Sequence, residues 1–126
     1  MSKFISVEEI NIWKEGIDLV KIIYEVVKRS QLFKDYSLRD QIQKSAISIP
    51  SNVAEGYERE SNREFVRFLY IAKGSCGELR TQAFIAMEIG CITKNDYTRI
   101  DSKSRKISGM IMNLIKKLRT AKTIKP

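Results

Sequence analysis

Basic side chains dominate the last quarter of the chain, and their spacing is that of a charged helix. At 100° per residue they divide between the two flanks of one apolar stripe. One flank carries Arg99, Lys103, Lys106 and Lys117. The other flank carries Arg105, Lys116 and Arg119, and Lys122 and Lys125 extend the charge beyond it. Because lysine and arginine in such stripes contact phosphate groups, this segment is a candidate anion-binding surface.

The net charge of the chain is concentrated in the same segment. Residues 1–93 contain thirteen basic and thirteen acidic residues, whereas residues 94–126 contain ten basic and two acidic ones, so the whole surplus of +8 lies there. A merely solvated face usually mixes the two signs. Contact with nucleic acid is therefore favoured over plain solubility and over an anionic membrane surface. The predicted phosphate contacts are Arg99, Lys103, Lys106, Lys116, Lys117 and Arg119.

Catalytic chemistry has little support in these residues. The chain has no histidine, which removes the usual general base and the commonest metal ligand. Cys76 and Cys91 lack the CxxC spacing of a metal or redox site, and no GxxxxGK phosphate loop is present. We expect a cytoplasmic protein without enzyme activity, cofactor or metal, in which both cysteines are reduced structural thiols. Met1 to Glu9 lacks the features of a signal peptide, and no apolar run is long enough to span a membrane.

Two carboxylates near apolar or small helix faces, Glu55 and Glu78, could be read as a catalytic pair. Arg59 lies four residues after the first and Arg80 two residues after the second. Helical carboxylates with such neighbours usually form ion pairs, so we expect a structural role for both.

Four amphipathic helices must position these side chains. Apolar residues recur at helical spacing over residues 7–29, 37–57, 62–89 and 94–121, joined by short links that favour antiparallel neighbours. The sequence predicts one all-α domain over residues 1–126, an antiparallel up-and-down four-helix bundle. In the first helix the predicted stripe is Ile10, Trp13, Ile17, Val20, Tyr24 and Val27. A second apolar row, Ile12, Leu19, Ile23 and Val26, makes that face wide enough to bury against another subunit.

Particular residues predict local features of the other helices. Pro50 removes one backbone N–H inside the second helix and clashes with the carbonyl of Ala46, which predicts a kink. Ser61 and Glu64 form a capping box, Gly90 can end the third helix, and Thr93 can cap the fourth. The small residues Ala72, Gly74, Ser75, Cys76 and Gly77 predict close approach of a neighbouring helix. The aromatic residues Trp13, Phe65 and Phe68 are predicted to lie in the core.

A family resemblance rests on two segments, QIQKSAISIPSNVAEG over residues 41–56 and FVRFLYIAKGS over residues 65–75, with Arg59 and Ser61 between them. They resemble the four-helix bundle proteins first noticed in intervening sequences of 23S ribosomal RNA genes. The accessory protein of diversity-generating retroelements, which associates with a reverse transcriptase and nucleic acid, is similar in pattern. The resemblance extends from Trp13 to Leu118, so it covers nearly the whole chain.

The resemblance implies a four-helix protomer in a homopentameric ring, with no enzyme activity and a role that is unknown or nucleic-acid binding. Its signature falls on Ser48, Pro50, Asn52, Glu55, Gly56, Arg59, Lys73, Gly74, Ser75 and Glu78. We interpret most of these as structural: the proline for the kink, glycine and serine for close packing, and the polar residues as partners between helices. The chain departs from the family at Gln43-Lys44, where two basic residues are usual, at Ser45 and at Gly16, where alanine is more typical.

Two functions remain open from the sequence. In the first, an oligomeric accessory protein binds structured RNA or DNA through repeated basic faces of a ring, contacting phosphates without reading bases. In the second, the ring is a scaffold that docks a partner enzyme such as a reverse transcriptase, and its charge serves solubility. Salt separates the two, because phosphate contacts weaken steeply as salt rises and an apolar docking surface does not.

Overall fold

Four long α-helices form the chain in the computed structural model, which describes residues 7–120. They are α1 (Val7–Lys28), α2 (Tyr36–Tyr57), α3 (Asn62–Glu88) and α4 (Lys94–Thr120). The predicted all-α four-helix bundle is confirmed, and each described boundary lies within one residue of its predicted place. A short 3₁₀ helix, Gln31–Lys34, occupies what is predicted as a polar link. Position 121 and the basic residues Lys122 and Lys125 lie outside the described residues.

The predicted starts of α3 and α4 each carry one side-chain capping bond, and the Glu64 side chain of the predicted capping box contacts Arg67 instead. The N–H of Glu64 donates to Ser61 Oγ over 3.1 Å, and the N–H of Asp96 donates to Thr93 Oγ1 over 3.0 Å. Gly90 has a φ of +83° just after α3, a backbone conformation that favours glycine. These bonds satisfy backbone groups that helix ends otherwise leave unpaired, so local sequence fixes where α3 and α4 begin.

Contacts between neighbouring helices show how the chain runs through the bundle. Along α1 and α4, Glu8 contacts Lys117 while Glu25 contacts Arg99. Along α2 and α3, Ser45 contacts Glu78 while Ser48 contacts Ser75. Along α3 and α4, Tyr70 contacts Arg119 while Phe84 contacts Tyr97. In each pair residue numbers rise on one helix as they fall on the other, so the two helices run in opposite directions.

The two apolar rows of α1 divide differently from the prediction, although Val27 of the predicted stripe is buried and Val20 packs against the core. The row Ile12, Leu19, Ile23 and Val26 is buried in the core. Trp13, by contrast, is 43% exposed, and Ile10 and Tyr24 are 44% exposed. The prediction that Trp13 lies in the core is wrong, whereas Phe65 and Phe68 are buried as predicted. Both rows have helical spacing, so only the position of the neighbouring helices decides which of them faces inward.

Pro50 lies inside α2 and packs against α1 at Gly16. A β-carbon at Gly16 would lie 3.2 Å from both Cβ and Cδ of the proline, closer than most such contacts. Gly16 therefore leaves room for the proline ring at this contact. The kink expected at Pro50 stays a prediction. None of the helices described between residues 7 and 120 is long and apolar enough to cross a bilayer.

Candidate nucleic-acid interface

The flank of α4 that faces α1 is neutralised by carboxylates of α1. Arg99 Nη1 lies 3.2 Å from Glu25 Oε1, and Lys106 Nζ lies 3.3 Å from Glu15 Oε2. Lys103 also pairs with Glu15. Lys117 pairs with Glu8 at the other end of the contact. All four predicted phosphate contacts on this flank are therefore engaged within the chain.

Arg29 and Asp96 form an ion pair at one end of this contact, next to the last residue of α1, Lys28. The guanidinium donates to both carboxylate oxygens, Nη2 to Oδ1 over 2.8 Å and Nη1 to Oδ2 over 3.1 Å. The Asp96 side chain is only 5% exposed. The bonds from Arg29 hold the pKa of Asp96 below its usual value. This bidentate pair ties the loop after α1 to the first turn of α4.

Glu15 lies at the centre of the same contact, between two lysines. Hydrogen bonding from Lys103 lowers the pKa of Glu15, and Lys106 adds to the effect against the opposing influence of burial. Asp18 lies 4.0 Å from Lys103 and adds a further carboxylate. Counting every group in these pairs gives five cations and five carboxylates. We call this set the α1–α4 seam: Glu8, Glu15, Asp18, Glu25, Arg29, Asp96, Arg99, Lys103, Lys106 and Lys117.

The opposite flank of α4 keeps cations that the seam does not neutralise. Arg119 lies over the ring of Tyr70, with Cζ 5.4 Å from the ring centroid. Lys116 is exposed and makes no ion pair with a carboxylate in the described part of the chain. Arg105 pairs with Asp101 over 3.0 Å. The six predicted contacts are thus divided: four lie in the seam, and Lys116 and Arg119 lie on the side of α3.

Two further cations on α3 face the same side and are absent from the predicted set. Arg80 Nη1 donates to Ser104 Oγ of α4 over 3.2 Å, and Ser104 Oγ donates to the carbonyl of Cys76 over 3.0 Å. Lys73 and Arg80 both lie close enough to Cys76 to act on its pKa, although burial raises that pKa overall. Neither cation pairs with a carboxylate between residues 8 and 120. Helical projection of α3, applied as it is to α4, would have found them.

Aromatic rings flank these cations. Tyr70 is 39% exposed beneath Arg119, and Phe84 is 46% exposed. Phe84 is held edge to face against Tyr97 of α4, with ring centroids 5.7 Å apart. Along one side of α3, two cations lie between the two rings at helical spacing. We call this surface the α3–α4 face: Tyr70, Lys73, Arg80, Phe84, Lys116 and Arg119.

The signature residues on α2 and α3 form a polar ladder between these helices. Ser48 Oγ and Ser75 Oγ share a hydrogen bond of 2.8 Å, and Asn52 Nδ2 donates to both the hydroxyl and the carbonyl of Ser48 over 2.8 Å. Ser45 Oγ donates to Glu78 Oε1 over 3.3 Å. The Ser48–Ser75 and Ser45–Glu78 bonds join α2 to α3, whereas the bonds of Asn52 lie within α2. The ladder holds α3 in place, which positions Lys73 and Arg80 on its other side.

The remaining signature residues are predicted to form ion pairs or to allow close packing, and the observed contacts differ from one residue to the next. Glu55 pairs with Arg59 over 2.9 Å as expected, but the expected partner of Glu78, Arg80, bonds to Ser104 instead. A β-carbon at Gly56 would lie 2.7 Å from Phe68 Cβ, so this glycine is required by close packing. Gly74 is exposed, with nothing within 4 Å of a β-carbon. Close packing therefore accounts for Gly56 and Ser75 but is wrong for Gly74 within this chain.

An apolar groove between α1 and α2 is separate from both charged surfaces. It encloses about 360 Å³ and is lined mainly by Ile10, Trp13, Val53, Ala54 and Tyr57. The exposed side chains of Ile10 and Trp13 form its outer edge. Exposed apolar surface of this kind marks contacts with other proteins, so the groove agrees with the expected wide face of the first helix.

Comparison with known proteins adds a family and a related structure. Residues 8–113 match the model of the family described as 23S rRNA-intervening sequence protein. A structure of a protein with unknown function from the S23 ribosomal protein family of Bacteroides thetaiotaomicron is 21% identical, with a TM-score of 0.79. The match covers 87% of this chain and 99% of that one, and it supports the four-helix fold. No curated protein matches the chain.

Proposed function

The chain belongs to the 23S rRNA-intervening sequence protein family, and from that premise we propose a non-catalytic, oligomeric accessory protein that binds structured RNA or DNA through basic faces. The observation that carries the proposal is the set of four cations on the α3–α4 face, Lys73, Arg80, Lys116 and Arg119, none with a carboxylate partner within residues 8–120. Phosphate groups supply the missing negative charge.

The two flanks of α4 differ in how readily their predicted residues can contact phosphates. Lys116 and Arg119 are the members of the predicted set that need not break an ion pair to contact a phosphate. The other four predicted residues must first break ion pairs with carboxylates of α1 before they can contact phosphates. They are Arg99, Lys103, Lys106 and Lys117. We expect the α3–α4 face to supply most of the affinity and the α1–α4 seam to supply little.

The proposal includes a ring of five copies in the cytoplasm. The groove between α1 and α2, with Ile10 and Trp13 at its edge, supplies apolar surface for contact between protomers. A cytoplasmic location agrees with Cys76 and Cys91, which are both free thiols. In a ring, several basic faces engage one polymer, and each later contact is intramolecular. A monomer at micromolar concentration would contradict this part of the proposal.

The experiment measures binding of the purified protein to a labelled structured RNA and to duplex DNA across a salt series, with the oligomeric mass read on the same sample. Affinity should fall by roughly 10³-fold or more between 50 and 200 mM salt if the assembly contacts six or more phosphates. Absence of binding at the lowest salt would overturn the proposal.

A second candidate function is a scaffold that docks a partner enzyme such as a reverse transcriptase. The exposed apolar groove between α1 and α2 favours it, because such a surface also fits a partner protein. Binding of that kind responds little to salt. Substitution of Trp13 by Glu should abolish docking of this type and leave the α3–α4 face unchanged.

A further inference from the structure

We propose that the α3–α4 face binds unpaired nucleotides, with bases stacking at Tyr70 and Phe84 while the cations between them contact the phosphates. This inference rests on the proposed function and specifies its ligand. The expectation from the sequence is phosphate contact without a role for bases. The exposed rings on the same face change that expectation.

The rings and cations of α3 follow one another in an order that fits a strand. Tyr70, Lys73, Arg80 and Phe84 share one side of the helix, at offsets of three, ten and fourteen residues from the first. The two rings therefore stand about 21 Å apart along the axis, at 1.5 Å per residue. That distance suits a single strand of a few nucleotides. The rings at the two ends can stack on bases, and the two cations between them can contact the phosphates of the same strand.

Each ring is held in place by a neighbouring side chain of α4. Tyr97 supports Phe84 at a centroid distance of 5.7 Å and an interplanar angle of 69°, yet Phe84 stays 46% exposed. Arg119 lies over Tyr70, and guanidinium planes and aromatic rings are both surfaces on which splayed bases stack. Rings held in place lose little conformational freedom when a base packs on them.

The surface between the two rings is open. Gly77 lies between Lys73 and Arg80, and a β-carbon there would meet only Arg80 Nη2, at 3.7 Å. Asp101, the carboxylate of α4 on this side, is paired with Arg105. A strand can therefore approach the backbone of α3 at the centre of the face without meeting an unpaired carboxylate of α4.

Binding of a duplex would not involve the exposed rings. Its bases are stacked on one another and its edge presents phosphates, so exposed rings add nothing to binding of a duplex. The structure therefore favours single-stranded loops or ends of a folded nucleic acid as the ligand.

The test compares a twelve-nucleotide single-stranded RNA, a single-stranded DNA of the same sequence and a blunt duplex, each binding the full chain. The double variant Tyr70→Leu with Phe84→Leu keeps apolar bulk and removes both rings. We expect it to weaken single-strand binding by about tenfold or more and duplex binding by less than about twofold. The single-stranded DNA arm shows whether the 2′-hydroxyl contributes.

A matched control is available at the other end of the bundle. Phe33 and Tyr36 are 54% and 66% exposed, and Arg39 lies over both rings. Arg39, the cation that stacks on both rings, is already paired with Asp40, so it is engaged within the chain. The double variant Phe33→Leu with Tyr36→Leu should bind both ligands as the parent chain does.

Photo-crosslinking of 5-iodouridine in the single strand to the parent chain gives a second readout that needs no variant to fold. The adducts should fall on peptides that contain Tyr70 or Phe84. Equal binding of single strand by the parent chain and the Tyr70/Phe84 variant, with adducts elsewhere, would overturn the inference and leave the proposed function intact. If no nucleic acid binds at low salt, the proposed function fails as well.

Discussion

Helix α4 carries cations on both of its flanks, and the two flanks meet different neighbours. Toward α1, four of these cations pair with carboxylates of α1, and Asp96 of α4 pairs with Arg29, in the α1–α4 seam. Toward α3, Arg119 and Lys116 join Lys73 and Arg80 among exposed aromatic rings. The same residue types therefore hold the bundle together on one side and remain available to a ligand on the other. Charge counted along a sequence does not distinguish these roles, because the partners belong to another helix.

The largest expected effect on stability lies at the end of the seam. Replacing Asp96 by Ala removes a carboxylate that is 5% exposed and accepts two bonds from Arg29. We expect a loss of about 2 kcal/mol in the free energy of unfolding, measured with urea, and unchanged nucleic-acid affinity. The exposed pair of Asp101 and Arg105 supplies the control, because Arg105→Gln should cost less than about 0.5 kcal/mol. Equal losses in the two variants would contradict the structural role of the seam.

Acid should weaken the α1–α4 seam. The pKa values of Asp96 and Glu15 are lowered in the folded chain, so their contribution to stability is present above the unfolded pKa of about 4. It is lost as pH falls below about 4 and through the lowered folded values. We expect the free energy of unfolding to fall in that range, and to fall less steeply in a variant with Asp96→Asn and Glu15→Gln. Parallel pH curves for the two proteins would show that these carboxylates do not carry the effect.

Releasing the seam cations should increase binding. Replacing Glu8, Glu15 and Glu25 by Gln leaves Arg99, Lys103, Lys106 and Lys117 without these partners. We expect affinity for single-stranded RNA at 100 mM salt to rise by roughly tenfold, because more cations can release counterions from phosphates. Replacing Glu58, Glu60 and Glu88 by Gln changes the net charge equally, away from the seam, and should raise affinity much less. Equal gains would mean that net charge alone determines binding.

The smallest expected effect belongs to a single exposed pair. Lys117 and Glu8 are 57% and 41% exposed, so Lys117→Gln should change the free energy of unfolding by about 0.5 kcal/mol or less. Urea unfolding at low and high salt measures it. A loss comparable to that of Asp96→Ala would show that the seam is stabilised evenly along its length and not mainly at its buried end.

Local sequence signals account for most of the fold. The capping residues Ser61 and Thr93 and the glycine at 90 bring the predicted ends of α3 and α4 close to those observed. Local signals do not predict which apolar row of α1 faces the core, because Trp13 and Ile12 both belong to rows with helical spacing. The position of α2 and α4 around α1 decides between them, and periodicity within α1 carries no information about that position.

The candidate site was predictable only in part, for a related reason. Glu8, Glu15 and Glu25 lie on one face of α1, at offsets of seven and seventeen residues, but the sequence does not say which helix they face. Without that knowledge the two basic flanks of α4 look equivalent. Helical projection places Lys73 and Arg80 on one side of α3, but only the packing of α3 against α4 shows that Lys116 and Arg119 lie on the same surface.

The most direct test compares two triple variants that each remove three positive charges. One replaces Lys73, Lys116 and Arg119 by Gln on the α3–α4 face, and the other replaces Lys103, Lys106 and Lys117 by Gln in the seam. Binding to a labelled RNA with a single-stranded loop, at one fixed salt concentration, is measured for both. We predict that the first variant loses at least about tenfold in affinity and keeps its stability. The second should lose about 1 kcal/mol of stability and less than about threefold in affinity. Equal losses of affinity in the two variants would contradict the account.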